Sequence, residues 1–316
     1  MLLRALAVPL QWIWLLLAMT FMLGLLLHCA VSPRALPVLF QDIFQDLIRY
    51  GKARSGRDCP RLSWMQHFFV PKRWFFQFYL ISVIWNGFLL VVLIRTLFFG
   101  YNGFAWLKVL VNVLNGEPRD QISGGEFSAF MVLVLLWINS VRRLIECLFI
   151  SVFSEGMIHL IHYSFGLVYY VLLGFTVLCQ APFHGRNVPV EDLFKQICWR
   201  HSLGLLLYIW AAAHQHRCIV IFANLRKSKS GEVINVVHSV PYRDWFERVS
   251  CPHYFAELLI YIALGVIFGI QNYTWCLVVM YVFFSQALEA VLSHEYYLQK
   301  FDTYPKHRKA FIPFIF

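Results

Sequence analysis

The sequence predicts an all-α fold, that of a polytopic membrane protein with a bundle of about seven transmembrane helices. Of the 316 residues, 59% are hydrophobic and only 14% are charged, whereas an ordinary soluble domain carries about 25% charged residues. The hydrophobic residues occur in long blocks, and a helix needs about 20 mostly apolar residues to cross a bilayer. We therefore predict a single membrane domain covering residues 1–316.

Seven hydrophobic blocks meet this length requirement. In chain order they cover residues 10–31, 74–98, 127–153, 157–179, 202–223, 254–270 and 274–292. An alternative for the first block is a signal peptide, because Arg4 precedes it and residues 30–32 resemble a cleavage site. The block is longer, however, than the usual apolar core of about 7 to 15 residues. Only residues 271–273 separate the last two blocks, which predicts a tight helical hairpin.

The distribution of positive charge predicts the orientation of the bundle. About 17 Lys and Arg fall in the odd-numbered connections and the C-terminal tail, against about 5 in the even-numbered connections, and such an excess marks the cytoplasmic side. The N-terminus is therefore predicted to be lumenal and the C-terminus cytosolic. Because the net charge of +10 is explained by topology, we predict no nucleic-acid partner.

Several classes of protein are not supported by the motifs. The eight cysteines include no CxxC pair, so neither a zinc site nor a disulfide framework is predicted. There is no GxGxxG and no Walker motif, which argues against a Rossmann or P-loop domain. The chain also lacks an internal repeat, which weakens the alternative of an inverted-repeat transporter.

Ionisable residues inside membrane spans are costly and are functional candidates by default. Arg142, Arg143 and Glu146 share the third block, and Arg143 and Glu146 are three residues apart, so they can pair on one helix face. His159 and His162 have the same spacing at the start of the fourth block. No carboxylate or cysteine is placed to complete a metal site with them, so we predict polar lining and no metal.

More polar residues gather at the cytosolic ends of the last two blocks. Glu257 lies one turn inside the sixth block, and Glu289 and His294 lie near the end of the seventh. A hairpin would bring these side chains to a similar depth. Two basic clusters flank them: Arg226, Lys227 and Lys229, and then Lys306, Arg308 and Lys309. These clusters predict either a surface attracted to anionic lipid or a phosphate-binding rim for a nucleotide cofactor.

The C-terminal third contains the motifs by which the chain resembles a known family, the steroid 5α-reductases. These motifs are PHYFAE at 252–257, HEYYLQKF at 294–301 and YPKHRKAFIPFIF at 304–316. Within that family the chain resembles the polyprenol (polyprenal) reductase branch, also called steroid 5α-reductase type 3, through VPKR at 70–73, WNGF at 85–88 and NLRK at 224–227. The resemblance covers most of the chain and is strongest over residues 211–316. The aromatic and basic tail is expected to dock on the bundle or to lie in the membrane interface.

The resemblance implies a seven-helix protein of the endoplasmic reticulum membrane, with NADPH entering from the cytosol. It implies reduction of a carbon–carbon double bond conjugated to a carbonyl. For this branch the implied substrate is a polyprenoid lipid within the bilayer, reduced at its α-isoprene unit on the way to dolichol for protein N-glycosylation. Membrane lipids are the other expected partners, and no obligate protein partner is indicated.

The chemistry predicts what the site must contain. Hydride adds to the β-carbon of an enal only if the charge growing on the carbonyl oxygen is stabilised, so a hydrogen-bond donor or a protonated acid must lie there. The resemblance implies that Asp46 and Tyr79 fill this role, with Asp42 as the alternative to Asp46 because the dipeptide Gln-Asp occurs twice. The cofactor-binding residues that it implies are Arg226, His253, Tyr254, Glu257, His294, Tyr297 and Arg308.

Two alternatives to polyprenoid reduction stay open at this point. A membrane methyltransferase of the isoprenylcysteine type shares a late helical hairpin and a comparable C-terminal pattern of tyrosine and proline. A reductase of 3-oxo-Δ4 steroids would use the same chemistry on another substrate. Between a polyprenal and a polyprenol, the electronics favour the aldehyde, because an isolated allylic alcohol offers no place for the charge delivered by hydride.

Overall fold

The fold is a bundle of helices, as the composition predicts. A computed structural model describes residues 9–30, 44–45, 48, 69–115, 125–181, 189–228 and 230–316. Its helices are α1 (Leu10–Ala30), α2 (Phe76–Phe99), α3 (Ala105–Asn115), α4 (Glu126–Ile145), α5 (Leu160–Leu178), α6 (Val190–Lys195), α7 (Trp199–Asn224), α8 (Pro252–Phe268) and α9 (Tyr273–Lys300). Seven of these have 17 residues or more, and each coincides with one predicted block. The all-α membrane fold is thus confirmed.

Length and hydropathy single out five of the described helices as able to cross a membrane, namely α1, α2, α5, α7 and α9. Of the other two long helices, α4 contains Arg142 and Arg143, and α8 has only 17 residues. A multi-pass membrane protein is therefore confirmed, while the count of seven spans and the lumenal N-terminus stay predictions.

The first block belongs to the bundle. Helix α1 packs along α9, and its Trp14 is fully buried. The Trp14 Nε1 group donates a hydrogen bond of 2.9 Å to Oγ1 of Thr176 on α5, which satisfies the indole N–H in the apolar interior. This packing favours the membrane-spanning interpretation of the block over the signal peptide.

Helices α7 and α8 approach closely because of a glycine. A Cβ at Gly204 would lie 2.5 Å from Cγ1 of Ile267 and 2.8 Å from the carbonyl oxygen of Ala263. Only a residue without a side chain permits this approach. The contact fixes α7 against α8 and so determines where their polar residues meet.

A short two-stranded antiparallel sheet, which the sequence did not predict, joins the beginnings of α2 and α5. Strand β1 (Phe69–Pro71) pairs antiparallel with β2 (Met157–His159), with Val70 opposite Ile158. Three residues per strand are too few to show the alternation by which strands are recognised. A 3₁₀ turn, Lys72–Phe75, connects β1 to α2.

The last two helices and the tail fold as predicted. Helix α8 ends at Phe268 and α9 begins at Tyr273, which confirms the tight hairpin. The tail after α9 docks on the segment that precedes α8, because the Ser250 N–H donates a hydrogen bond of 2.8 Å to the carbonyl of Lys309. Phe311 is fully buried. The end of the bundle at which α9 ends is called the tail end below.

Candidate functional site

A cavity of about 780 Å³ lies within the bundle, toward the tail end. Its size is within the range of about 300 to 1,000 Å³ that is usual for ligand pockets. Three tyrosines from the middle of α5 and α9 line its wall, namely Tyr169, Tyr170 and Tyr281. Segments that flank the helices, and the last residue of α9, contribute charged or polar residues, namely Lys72, Glu155, Arg226, His238 and Lys300. The cavity can thus hold a molecule with both apolar and anionic parts.

Tyr79 and Arg143 form a pair in the cavity wall. Both are buried, and both line the cavity. Arg143 Nε donates a hydrogen bond of 3.3 Å to Tyr79 Oη, and the guanidinium carbon lies 5.1 Å from the centre of the tyrosine ring. Because a guanidinium accepts no hydrogen bonds, the Tyr79 oxygen acts as the acceptor and its own O–H is left to donate. The structure therefore places at the cavity a hydroxyl donor whose oxygen accepts a hydrogen bond from a positively charged guanidinium.

The predicted pairing of Arg143 with Glu146 is confirmed, and it is part of a larger cluster. Arg143 Nη1 binds Glu146 Oε2. The other carboxylate oxygen accepts from Arg142 Nη1 and from His216 Nδ1, each at 2.8 Å. Glu146 is only 1% exposed, and buried carboxylates require such partners.

Gln215 connects this cluster to Glu257 of α8, and sequence reasoning missed it. Its amide oxygen accepts from Arg142 Nη2, and its amide nitrogen donates to Glu257 Oε2. Both Gln215 and Glu257 line the cavity. Gln215 is uncharged and so was not counted among the costly residues, although a buried amide in a membrane helix was an available signal.

Five of the seven predicted cofactor-binding residues line the cavity: Arg226, His253, Tyr254, Glu257 and Tyr297. His294 and Arg308 do not. Instead, His294 Nδ1 lies 2.6 Å from the hydroxyl of Ser250, and Ser250 itself lines the cavity. His294 therefore contacts Ser250 and would affect a ligand in the cavity only through it.

Arg308 fixes the tail. It is 1% exposed, and its Nη1 donates a hydrogen bond of 2.8 Å to the carbonyl of Pro241. Its guanidinium carbon lies 4.8 Å from the ring centre of Tyr242 and 5.2 Å from that of Tyr304. Burial raises the pKa of the Tyr304 phenol, so this phenol stays neutral. Its oxygen lies 2.6 Å from the hydroxyl oxygen of Ser250.

Arg226 combines a structural contact with a position at the cavity. Its Nη1 donates to the carbonyl of Val152, which follows the π-helical turn Glu146–Ile150 at the end of α4. Burial lowers the pKa of its guanidinium, but the group stays charged because an arginine side chain is not deprotonated in proteins. A half-buried cation in a cavity wall favours an anionic ligand.

The predicted catalytic residue Asp46 and its alternative Asp42 lie outside the described residues, so their role stays a prediction. The described neighbour Ile48 is buried against Leu288 and Leu292 of α9. As for metals, the part of the chain that the structure describes contains no group of three His, Cys, Asp or Glu able to hold an ion.

A cavity with apolar and polar walls beside a buried Tyr–Arg–Glu cluster, inside an apolar bundle, is an arrangement that suits a membrane-embedded enzyme. The family model described as 3-oxo-5-alpha-steroid 4-dehydrogenase matches residues 156–316, about half of the chain. The chain belongs to this family of oxidoreductases, which act on CH–CH groups.

Relatives named polyprenal reductase are similar to the chain over nearly its whole length. The protein of Xenopus tropicalis is 54% identical over 304 residues, which cover 96% of this chain and 98% of the relative. That of Homo sapiens is 53% identical over 312 residues, with 98% and 96% covered. That of Danio rerio is 45% identical over 303 residues, with 96% of each covered. The resemblance carried by the sequence motifs is thus confirmed.

Proposed function

We propose that the protein reduces the α-isoprene double bond of a polyprenal, with NADPH as hydride donor, in dolichol biosynthesis for protein N-glycosylation. The single observation that carries this proposal is the Tyr79 hydroxyl, held by Arg143 in the wall of a cavity inside the bundle. The names of the relatives, which match across nearly the whole chain, support the choice of substrate. The membrane is that of the endoplasmic reticulum, with the tail end toward the cytosol.

The residues of the cavity fit a nicotinamide dinucleotide. Arg226 supplies a half-buried cation for phosphate. The side-chain oxygen of Gln286 is buried, lines the cavity and has no hydrogen-bond partner among the described residues. An amide N–H such as that of a carboxamide would satisfy this acceptor. We therefore propose that Arg226 and Gln286, with the other predicted residues of the wall, hold NADPH.

When bound, NADPH supplies the hydride that adds to the β-carbon of the enal. The protein must then stabilise the enolate oxygen, and the Tyr79 O–H donates a hydrogen bond to it. Arg143, which donates to the Tyr79 oxygen, makes this hydroxyl a stronger donor because it draws electron density from the phenol. A proton that derives from water then bonds to the α-carbon and completes the saturated aldehyde, so hydride and proton together add two hydrogen atoms.

The bundle explains why a lipid is a suitable substrate. The apolar chain of a polyprenoid lies in the bilayer, and its aldehyde reaches the part of the cavity wall where Tyr79 and Arg143 are buried. In a buried site one directed hydrogen bond is worth more than in water. Glu257, held by Gln215, adds a carboxylate to the same wall, where it orients the hydroxyl or amide donors of the cofactor.

Side-by-side assays of detergent-purified protein test the proposal. With NADPH, we expect reduction of polyprenal and no reduction of polyprenol, because the alcohol has no carbonyl to take up the developing charge. A 3-oxo-Δ4 steroid serves as the competing substrate that the family description suggests. Reduction of the steroid without reduction of polyprenal, or reduction of polyprenol itself, would contradict the proposed function.

A further inference from the structure

Glu146 lies behind the cavity wall, at the point where α4 ends. It opens a π-helical turn, Glu146–Ile150, and such turns are rare and occur often at functional sites. Glu146 is not among the residues that line the cavity. A bound substrate would therefore not touch it, and any effect of Glu146 on the reaction must pass through another side chain.

Three donors from two helices meet at this carboxylate. Arg142 and Arg143 belong to α4, and His216 belongs to α7. With Glu257, which Gln215 connects to Arg142, the cluster contains two arginines and two carboxylates, so the charges of these four groups cancel. An arginine without its carboxylate partner would be an unpaired charge inside the bundle, which is strongly unfavourable.

The geometry of arginine transmits the position of Glu146 to the cavity. A guanidinium is planar and rigid, so holding its Nη1 also sets the direction of its Nε. Glu146 binds Nη1 of Arg143, and Nε of the same group donates to Tyr79 Oη at 3.3 Å. Glu146 thus determines how Arg143 presents its donor to the tyrosine.

We infer that Glu146 is a positioning residue for the reduction: it holds Arg143 against the Tyr79 hydroxyl and acts on the reaction only through that contact. This inference rests on the proposed function, in which Tyr79 donates to the carbonyl oxygen. The hydrogen bonds that lead to Glu257 begin at Arg142. Besides Glu146, Arg142 binds Asn139 Oδ1 at 2.7 Å and Gln215. Arg142 keeps these two partners when glutamine replaces Glu146, so this substitution largely preserves cofactor binding.

A double-mutant cycle on the full chain tests the inference, because residues that act through one contact are not additive. We expect Glu146→Gln to lower kcat for polyprenal about tenfold, while the KM for NADPH changes less than about twofold. In the Tyr79→Phe background the same substitution should change kcat by less than about threefold. Asp192→Asn, which breaks an exposed ion pair with Lys195, is the matched control and should leave kcat and KM unchanged.

Equal losses of kcat from Glu146→Gln in the two backgrounds would overturn the inference, and so would a rise in KM alone. If Glu146→Gln does not yield folded protein, Glu146→Asp takes its place, because it keeps the charge but shortens the reach. It must lower kcat in the wild-type background and not in the Tyr79→Phe background, and an equal effect in both overturns the role of Glu146. Wild-type protein that reduces no polyprenal would instead overturn the proposed function.

Discussion

Replacing Tyr79 with phenylalanine is expected to lower kcat for polyprenal by about 100- to 1,000-fold, the usual cost of removing one oxyanion donor. The substitution removes only the hydroxyl that Arg143 supports and keeps the ring in its place against Phe75 and Tyr170. The KM for NADPH should stay within about threefold of the wild-type value, because the lost interaction is made in the transition state. Steady-state kinetics of the purified variant check both values.

Tyr273→Phe is the matched control for this experiment. Tyr273 is 69% exposed and begins α9, at the end of the bundle away from the cavity. Loss of its hydroxyl should not change kcat. If Tyr79→Phe has the same kcat as the control, the tyrosine is not the donor. The predicted acid Asp46 and its alternative Asp42 are then tested by the same kinetics, with the substitutions Asp46→Asn and Asp42→Asn.

The second large effect is expected at Arg226. The change Arg226→Met keeps an apolar stem of similar length and removes the cation that the cavity wall presents. A hydrogen bond to a charged group is worth about 1.5 to 3 kcal/mol, so the KM for NADPH should rise roughly 10- to 100-fold. We expect kcat at saturating NADPH to change less than about threefold, because Arg226 is not assigned to the reacting carbonyl.

Lys195→Met controls for the loss of one positive charge. Lys195 lies at the surface, where its side chain is 73% exposed. Its replacement should leave the KM for NADPH unchanged. A kcat defect in Arg226→Met at unchanged KM would contradict the cofactor-binding role. It would point instead to the hydrogen bond by which Arg226 holds Val152, in the segment that follows α4.

What could be predicted from the sequence was mostly local. Each long helix follows from an uninterrupted apolar block, and the Arg143–Glu146 pair follows from a spacing of three residues on one helix. The hairpin of α8 and α9 follows from the short connection between them. These features depend on neighbours in sequence, so periodicity and spacing suffice to find them.

What the sequence did not predict depends on contacts between distant segments. Gln215 gains its importance because α7 packs along α8, where Glu257 lies. Arg308 belongs to the most specific motif of the tail, yet it packs between two tyrosines and away from the cavity. A motif shows that a residue matters, but a buried arginine that anchors a tail and one that binds phosphate have the same signature in the sequence.

The central claim is that this bundle transfers hydride to the β-carbon of a polyprenal. Reduction with NADPH deuterated at the transferable position, followed by mass spectrometry and NMR of the product, tests it most directly. The account predicts deuterium at the β-carbon of the α-isoprene unit and, in heavy water with unlabelled NADPH, deuterium at the α-carbon. Transfer to the carbonyl carbon, which would yield an allylic alcohol, would contradict the account.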